Sequence, residues 1–185
     1  MSHVPASAPY DARAVANLLL DRARGLPITQ IALQKLLFFA HGRYRITCDR
    51  PLVAGLFEAW KFGPVHPVVY QAFKHCEAAP ITSRACSFDY IAGTPRPLPT
   101  PTDADANDHI DQVLATLGRL PIARLVEISH APKGPWAQTV NKSGTSAVLG
   151  LQISDSMVAE RFRFHMVALE KGAPHGDPRE DTPLT

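Results

Sequence analysis

The sequence Leu33–Tyr44, LQKLLFFAHGRY, decides the fold. Its apolar residues recur at the spacing i, i+3, i+4, i+7 and i+11, at Leu33, Leu36, Leu37, Ala40 and Tyr44. This spacing places them on one face of an α-helix. Thr29 is a suitable N-cap for that helix, because its hydroxyl can accept a hydrogen bond from a free backbone N–H. We therefore expect a helix that is central to the hydrophobic core.

Cap and breaker residues predict further helices on both sides of this one. The first helix is expected to begin after Asp11 and to end at Gly25, since Asp favours N-caps and Gly favours helix ends. Later helices are expected to begin at Pro67, at Asn107 or Asp108, at Pro121 and after Ser154. The last of them is expected to run to Gly172.

Short strands are expected between these helices. Residues 51–61 alternate in part between apolar and polar side chains, and residues 86–91 and 149–153 are shorter candidates. The segment Lys133–Gln138, KGPWAQ, indicates a Gly-Pro turn. The predicted fold is mainly α with a small β element, an α+β fold, in a single compact domain of about six helices.

The proposed domain organisation follows the distribution of prolines and polar residues. Residues 1–9 are expected to be disordered, residues 10–172 to form the domain, and residues 173–185 to form a mobile C-terminal tail. Alternating prolines in residues 93–105 favour extended polyproline conformation, so we expect a surface loop there.

Composition indicates a soluble, cytoplasmic globular protein. Apolar residues make up 45% of the chain and the formal net charge is only +2, which gives no general reason to expect binding to nucleic acid. The longest apolar run, residues 36–40, is far shorter than a membrane span, and the N-terminus does not resemble a signal peptide. Three cysteines without a CxxC pair fit free thiols in a reducing compartment.

Several segments resemble one known family. They are NLLL at residues 17–20 followed by PIT at residues 27–29, LQKLLFFAHG at residues 33–42, FEAWKFGPVHPVVY at residues 57–70, LVEISH at residues 125–130 followed by GPW at residues 134–136, and IS at residues 153–154. The chain resembles the Panacea domain of SocA-like antitoxins over roughly residues 12–170. The resemblance implies a mostly helical domain that neutralises a cognate toxin protein, encoded beside it, by direct contact. It implies no cofactor and no enzymatic activity; presentation of the toxin to a protease is a variant of this function.

Candidate partner-binding residues lie in and near the second of these segments. Phe57 and Phe62 are expected to pack inside the corner at Gly63-Pro64. Trp60 beside Trp136 is expected to be partly exposed and to anchor the partner, because Trp and Tyr are frequent at interface hot spots. The predicted partner-binding set is Trp60, Lys61, His66, Tyr70 and Trp136.

Two other functions are open at this point. A hydrolase would use His66 with Glu58 as an acid–base pair, although no GxSxG, HExxH or P-loop motif is present. A DNA-binding regulator would need an exposed recognition helix, and residues 28–45 look too apolar for one. We expect no metal site, because the spacing of His75, Cys76 and Cys86 is unlike that of zinc ligands.

Overall fold

The computed structural model describes residues 8–144 and 150–165. In this part of the chain, the α-helices are α1 Ala12–Arg22, α2 Gln30–Cys48, α3 Pro67–Phe73, α4 Ala104–Leu117, α5 Ile122–Ser129, α6 Pro135–Ser143 and α7 Asp155–Arg161. The strands are β1 Phe57–Trp60, β2 Gly63–Val65, β3 Cys86–Asp89, β4 Thr94–Pro97 and β5 Gln152–Ile153. The predicted fold class, mainly α with a small β element in one compact domain, is confirmed.

Helix α2 is the centre of the core, as its apolar stripe predicted. Residues 32–42 are all buried, and the helix contacts α1, α3, α4, α5, α7 and β2. The ring of Phe38 meets those of Phe57 and Phe162 edge to face, with centroids 5.2 and 6.0 Å apart. Such aromatic pairs add to the stabilisation from burial, so α2 joins the sheet to α7.

The predicted N-caps are confirmed at three helices. Asp11 accepts a hydrogen bond from the backbone N–H of Arg13 at 2.9 Å, and Thr29 caps α2 through the N–H of Ala32. Ser154 caps α7 through its hydroxyl in the same way. Each cap satisfies a backbone donor that the first helical turn leaves free.

Two helix predictions were wrong. Helix α4 begins at Ala104 with Asp103 as its N-cap, rather than at Asn107 or Asp108, because Asp103 accepts from the backbone N–H of Asp105 one turn earlier. The GPW segment opens α6 rather than a turn, with Gly134 as the N-cap position and Pro135 in the first turn. Proline suits that position because its missing N–H has no helical partner there.

Strand β1 is the middle strand of an antiparallel sheet in the order β2-β1-β5. Glu58 pairs with Val65 in β2 and with Gln152 in β5. Along β1, Phe57 and Ala59 are buried while Glu58 and Trp60 are half-buried, which matches the alternation in the sequence. One face of β1 therefore packs on the core, and the other carries Glu58 and Trp60.

A separate hairpin corrects the prediction of a proline-rich loop over residues 93–105. Thr94–Pro97 form strand β4, which pairs with β3 in the register Ser87↔Arg96 and Phe88↔Pro95. Prolines fit because Pro95 and Pro97 alternate with Thr94 and Arg96, so the missing N–H groups fall at positions that do not face β3. The strand is exposed throughout, so the segment does lie on the surface.

The predicted termini fall largely outside the described residues. Of residues 1–9 the structure describes Ala8 and Pro9, and Ala8 packs against the core. The predicted tail over residues 173–185 and the helix end at Gly172 lie outside the described residues. Within the described ranges, no helix is both long and apolar enough to cross a membrane.

Candidate binding groove

An open groove lies between the first turns of α2, the β1–β2 hairpin and α3. Its volume is about 370 Å³. Its apolar lining residues are Ile31, Trp60, Phe62, Val65 and Tyr70, and its polar lining residues are Gln30, Gln34, Lys35 and Lys61. A mostly apolar concavity with a few polar groups is the usual form of a binding site.

Large apolar side chains in this groove face solvent. Phe62 is 56% exposed and Ile31 is 41% exposed. Trp60 and Tyr70 meet edge to face with centroids 4.8 Å apart, which fixes the orientation of both rings. The ammonium of Lys61 lies 5.4 Å from the ring centroid of Phe62, within the range of a cation–π interaction. The groove thus presents a fixed aromatic wall with a positive charge at its rim.

Buried polar residues of α2 hold the walls in place. Gln30 donates to the carbonyl of Tyr70 in α3 at 2.9 Å. Gln34 accepts from the backbone N–H of His66 at 2.8 Å. Because both side chains bind backbone atoms, they fix the approach of α3 to α2 whatever side chains α3 carries.

Lys35 is the most unusual of these residues. It is 1% exposed, and its ammonium donates to the carbonyl of Pro64 at 2.9 Å. No ion pair involves Lys35 within residues 8–144 and 150–165. Burial lowers the pKa of Lys35 to about 7, since an ammonium loses its hydration in the interior. A buried cation of this kind is a candidate functional group.

A second titratable group close to Lys35 is kept neutral. Burial, together with the charge of Lys35, lowers the pKa of His130 to about 4. The ring of His130 stacks on Trp136 with centroids 3.9 Å apart. At neutral pH His130 is therefore uncharged, while about half of the Lys35 side chains are protonated.

Trp60 is held by two hydrogen bonds from opposite sides. Its indole N–H donates to Oε2 of Glu58 at 2.7 Å, and its carbonyl accepts from the indole N–H of Trp136 at 2.9 Å. Glu58 also accepts from the backbone N–H of Gly150 at 2.9 Å. Trp60 is therefore a rigid wall, and the carboxylate of Glu58 is already engaged.

The groove brings together three of the five predicted partner-binding residues. Trp60, Lys61 and Tyr70 line it, and Trp136 supports Trp60 from behind. His66 does not reach the groove: it is 2% exposed, its Nε2 lies 3.0 Å from the carbonyl of Ala54, and its ring meets that of Phe57. Burial lowers the pKa of His66, as is common for a core histidine.

The expectation for the two phenylalanines is confirmed for one and wrong for the other. Phe57 is 1% exposed and packs in the core, whereas Phe62 is 56% exposed. Phe62 lies at the hairpin turn between β1 and β2, where the chain reverses and the side chain has left the pleat that buries Phe57. This places Phe62 among the residues that line the groove.

The structure also bears on the alternatives. Glu58 binds Trp60 and Gly150 on one side of β1, while His66 packs against Phe57 on the core side, so the two do not form an acid–base pair. Helix α2 is buried over residues 32–42 and cannot enter a DNA groove. Within the described residues, no group of three or more His, Cys, Asp or Glu side chains is placed to hold a metal ion.

Sequence analysis missed the polar residues of α2 that build the groove. Gln30, Gln34 and Lys35 are buried polar residues among the apolar residues in the first half of α2. A polar side chain on a buried stripe requires an internal partner. These polar residues were the available signal, and they point to contacts between α2 and a neighbouring backbone.

The comparisons with known proteins assign a family. The sequence model described as "Antitoxin SocA-like, Panacea domain" matches residues 33–137, more than half of the 185-residue chain. The chain belongs to this family. Antitoxin SocA of Caulobacter vibrioides (strain NA1000 / CB15N) is 49% identical to the chain over 175 residues, which span 94% of the chain and 93% of that relative. No solved structure matches the chain.

Family membership confirms the resemblance seen in the sequence and supports an antitoxin role in a toxin–antitoxin system. The matched range contains α3, the β1–β2 hairpin and most of α2. Most residues that line the groove therefore lie inside the region that defines the family.

Proposed function

We propose that this protein is an antitoxin that neutralises its cognate toxin by direct protein–protein binding at the groove, without a cofactor and without catalysis. The observation that carries this proposal is the aromatic wall of exposed Phe62 and half-buried Trp60, whose indole is held by Glu58, inside the family region. The cytoplasm is the compartment that fits free cysteines at positions 48, 76 and 86.

The groove has the properties of an interface centre. Aromatic side chains that fill pockets near the middle of an interface supply most of its binding free energy. Trp60 and Tyr70 are already ordered by their mutual contact, so little side-chain entropy is lost when a partner binds. A stable complex buries about 800 Å² on each partner, so the contact extends beyond the groove to the surrounding surface.

Presentation of the bound toxin to a protease is a further part of this proposal. Such an adaptor needs a second surface that stays free when the toxin is bound. The β3–β4 hairpin does not line the groove and exposes Phe88, Tyr90 and Ile91 at 51%, 89% and 101%. Exposed apolar patches of this kind often mark interaction surfaces.

The test is growth rescue combined with affinity capture. The neighbouring gene is induced alone and together with this protein, and the tagged protein is then recovered with any bound partner. Rescue with a stoichiometric partner supports direct neutralisation; absence of toxicity, or rescue without a complex, contradicts it. A toxin half-life that shortens when this protein is present supports the adaptor role, and an unchanged half-life argues against it.

Phe62→Ala locates the interface. Phe62 is largely exposed, so its removal leaves the core intact and should weaken toxin binding by about 30-fold, the effect of a hot spot of about 2 kcal/mol. Tyr90→Ala is the matched control, because Tyr90 is an exposed aromatic residue on the other hairpin. Equal affinity of the two variants for the toxin would remove the groove from the interface.

A further inference from the structure

The charged side chains that line the groove are positive. Among the described residues, its lining contains two lysines, Lys35 and Lys61, and no carboxylate. Glu58, which lies beside Trp60, already accepts from the indole of Trp60 and from Gly150. The charged side chains that line the groove are therefore both lysines, next to an aromatic wall.

Lys35 adds to this because, in the part of the chain that the structure describes, it is buried without a counter-ion. An ammonium has three N–H donors, and within the described residues the structure gives Lys35 one acceptor, the carbonyl of Pro64. Removal of one partner from a buried ion pair leaves the other charge strongly destabilising. Lys35 is in that situation in the isolated chain, and a carboxylate supplied by a partner would relieve it.

We propose that the groove binds an acidic segment of the toxin, an inference that rests on the proposed function. An Asp or Glu carboxylate of this segment enters between Lys61 at the rim and Lys35 at the floor. A neighbouring apolar side chain of the segment packs against Trp60 and Phe62. A volume of about 370 Å³ accommodates roughly two side chains of such a segment and not a folded element. The groove thus selects toxin segments by charge as well as by apolar contact.

Two blocked dipeptides test the chemistry on the full-length chain. The acidic probe is acetyl-Phe-Glu-amide, and acetyl-Phe-Gln-amide is a neutral probe of nearly the same shape. Tryptophan fluorescence reports binding, because the chain has two tryptophans: Trp60 lines the groove, and Trp136 donates to the carbonyl of Trp60. We expect the acidic probe to bind about fivefold more tightly at low salt, as a charge-assisted contact predicts.

Variants then assign the preference to the lysines. Lys35→Met and Lys61→Met should each reduce the preference for the acidic probe, and the double variant should abolish it. Lys142→Met is the control, since Lys142 is exposed on α6 and does not line the groove. Addition of about 0.5 M salt should reduce the contribution of exposed Lys61 more than that of buried Lys35.

Equal binding of the two probes, a preference that survives in the double variant, or no binding of either probe would overturn this inference. These outcomes are separate from the failure of the proposed function. A toxin that is captured in a Phe62-dependent manner while the probes show no charge preference would retain the antitoxin role and remove the acidic segment. A clear charge preference without any neutralised toxin would remove the antitoxin role instead.

Discussion

Replacement of Lys35 by Met should change how the stability of the protein depends on pH. The pKa of Lys35 is lowered by burial from 10.5 to about 7, whereas in the unfolded chain it returns to its ordinary value. Between these two values the unfolded state binds more protons than the folded state. Stability therefore rises as the pH is raised from 7 towards 10.5, and the contribution of Lys35 is least favourable below pH 7.

The size of the effect follows from the same two values. At pH 7 the folded protein has lost about half of this proton, and at pH 9 nearly all of it, while the unfolded chain still retains its own. Integration over this interval gives a rise in the free energy of unfolding of about 2 kcal/mol from Lys35. The full difference between the acidic and alkaline limits is about 5 kcal/mol.

Urea unfolding at pH 7, 8 and 9, followed by tryptophan fluorescence, measures this rise. Lys35→Met keeps a long unbranched side chain and removes the titrating group, so its stability should increase less with pH than that of the unchanged protein, by about 2 kcal/mol. Lys142→Met should behave like the unchanged protein. If Lys35→Met and the unchanged protein gain stability in parallel, the ammonium of Lys35 is not buried as described and the argument fails.

Two further predictions concern the packing around the groove and the stability in acid. Gly63→Ala should destabilise the fold more than Gly25→Ala, by about 1–3 kcal/mol in chemical unfolding. Both glycines have positive φ, but an added Cβ at Gly63 would clash with the hydroxyl of Ser129, whereas no described atom lies within 4 Å of one at Gly25. Equal losses would contradict the close packing at Gly63. Burial lowers the pKa of His165 from 6.5 to about 4, so the unfolded state takes up the proton first. His165 should therefore contribute about 2 kcal/mol to the fall in stability between pH 7 and pH 5. His165→Asn should reduce the fall by that amount, and a fall that persists unchanged in this variant would show that the histidine is solvated.

The central helix and its caps could be predicted because their signals are local. The apolar spacing from Leu33 to Tyr44 is typical of a helix with one buried face, and all five residues predicted on that face are buried. Asp11 and Thr29 precede their helices without a competing cap nearby. In each case the hydrogen bond that caps the start of the helix joins residues two or three positions apart, so both partners can be found in the local sequence.

The start of α4 could not be predicted because the sequence offers several caps. Residues 103–108 read DADAND. Each Asp or Asn side chain in this segment can accept a hydrogen bond from a backbone N–H two or three residues later. The choice of Asp103 depends on distant residues, since its carboxylate also accepts from the hydroxyl of Tyr44 and from Arg50. These contacts join α4 to α2 and cannot be read from the local sequence.

The groove could be predicted only in part from the sequence. Its aromatic residues were predicted as a cluster with Trp60 partly exposed, but the exposure of Phe62 was not predicted. Exposure at that position depends on what packs against each face of the hairpin. Gln34 and Lys35 stand inside the stretch that decides the fold, and their partners are backbone atoms of His66 and Pro64. The same helix therefore forms the core with its apolar side chains and positions the groove with its polar ones.

This double use of α2 determines which variants can test function. A substitution at Gln34 breaks a buried hydrogen bond to the backbone of His66, so a loss of toxin binding there has the same appearance as a loss of folding. Phe62 and Lys61 face solvent and contribute little to the core. Since both lie on the hairpin turn whose shape α2 fixes, changes in binding at these two positions report on the groove surface itself, and a binding defect with unchanged stability separates recognition from folding.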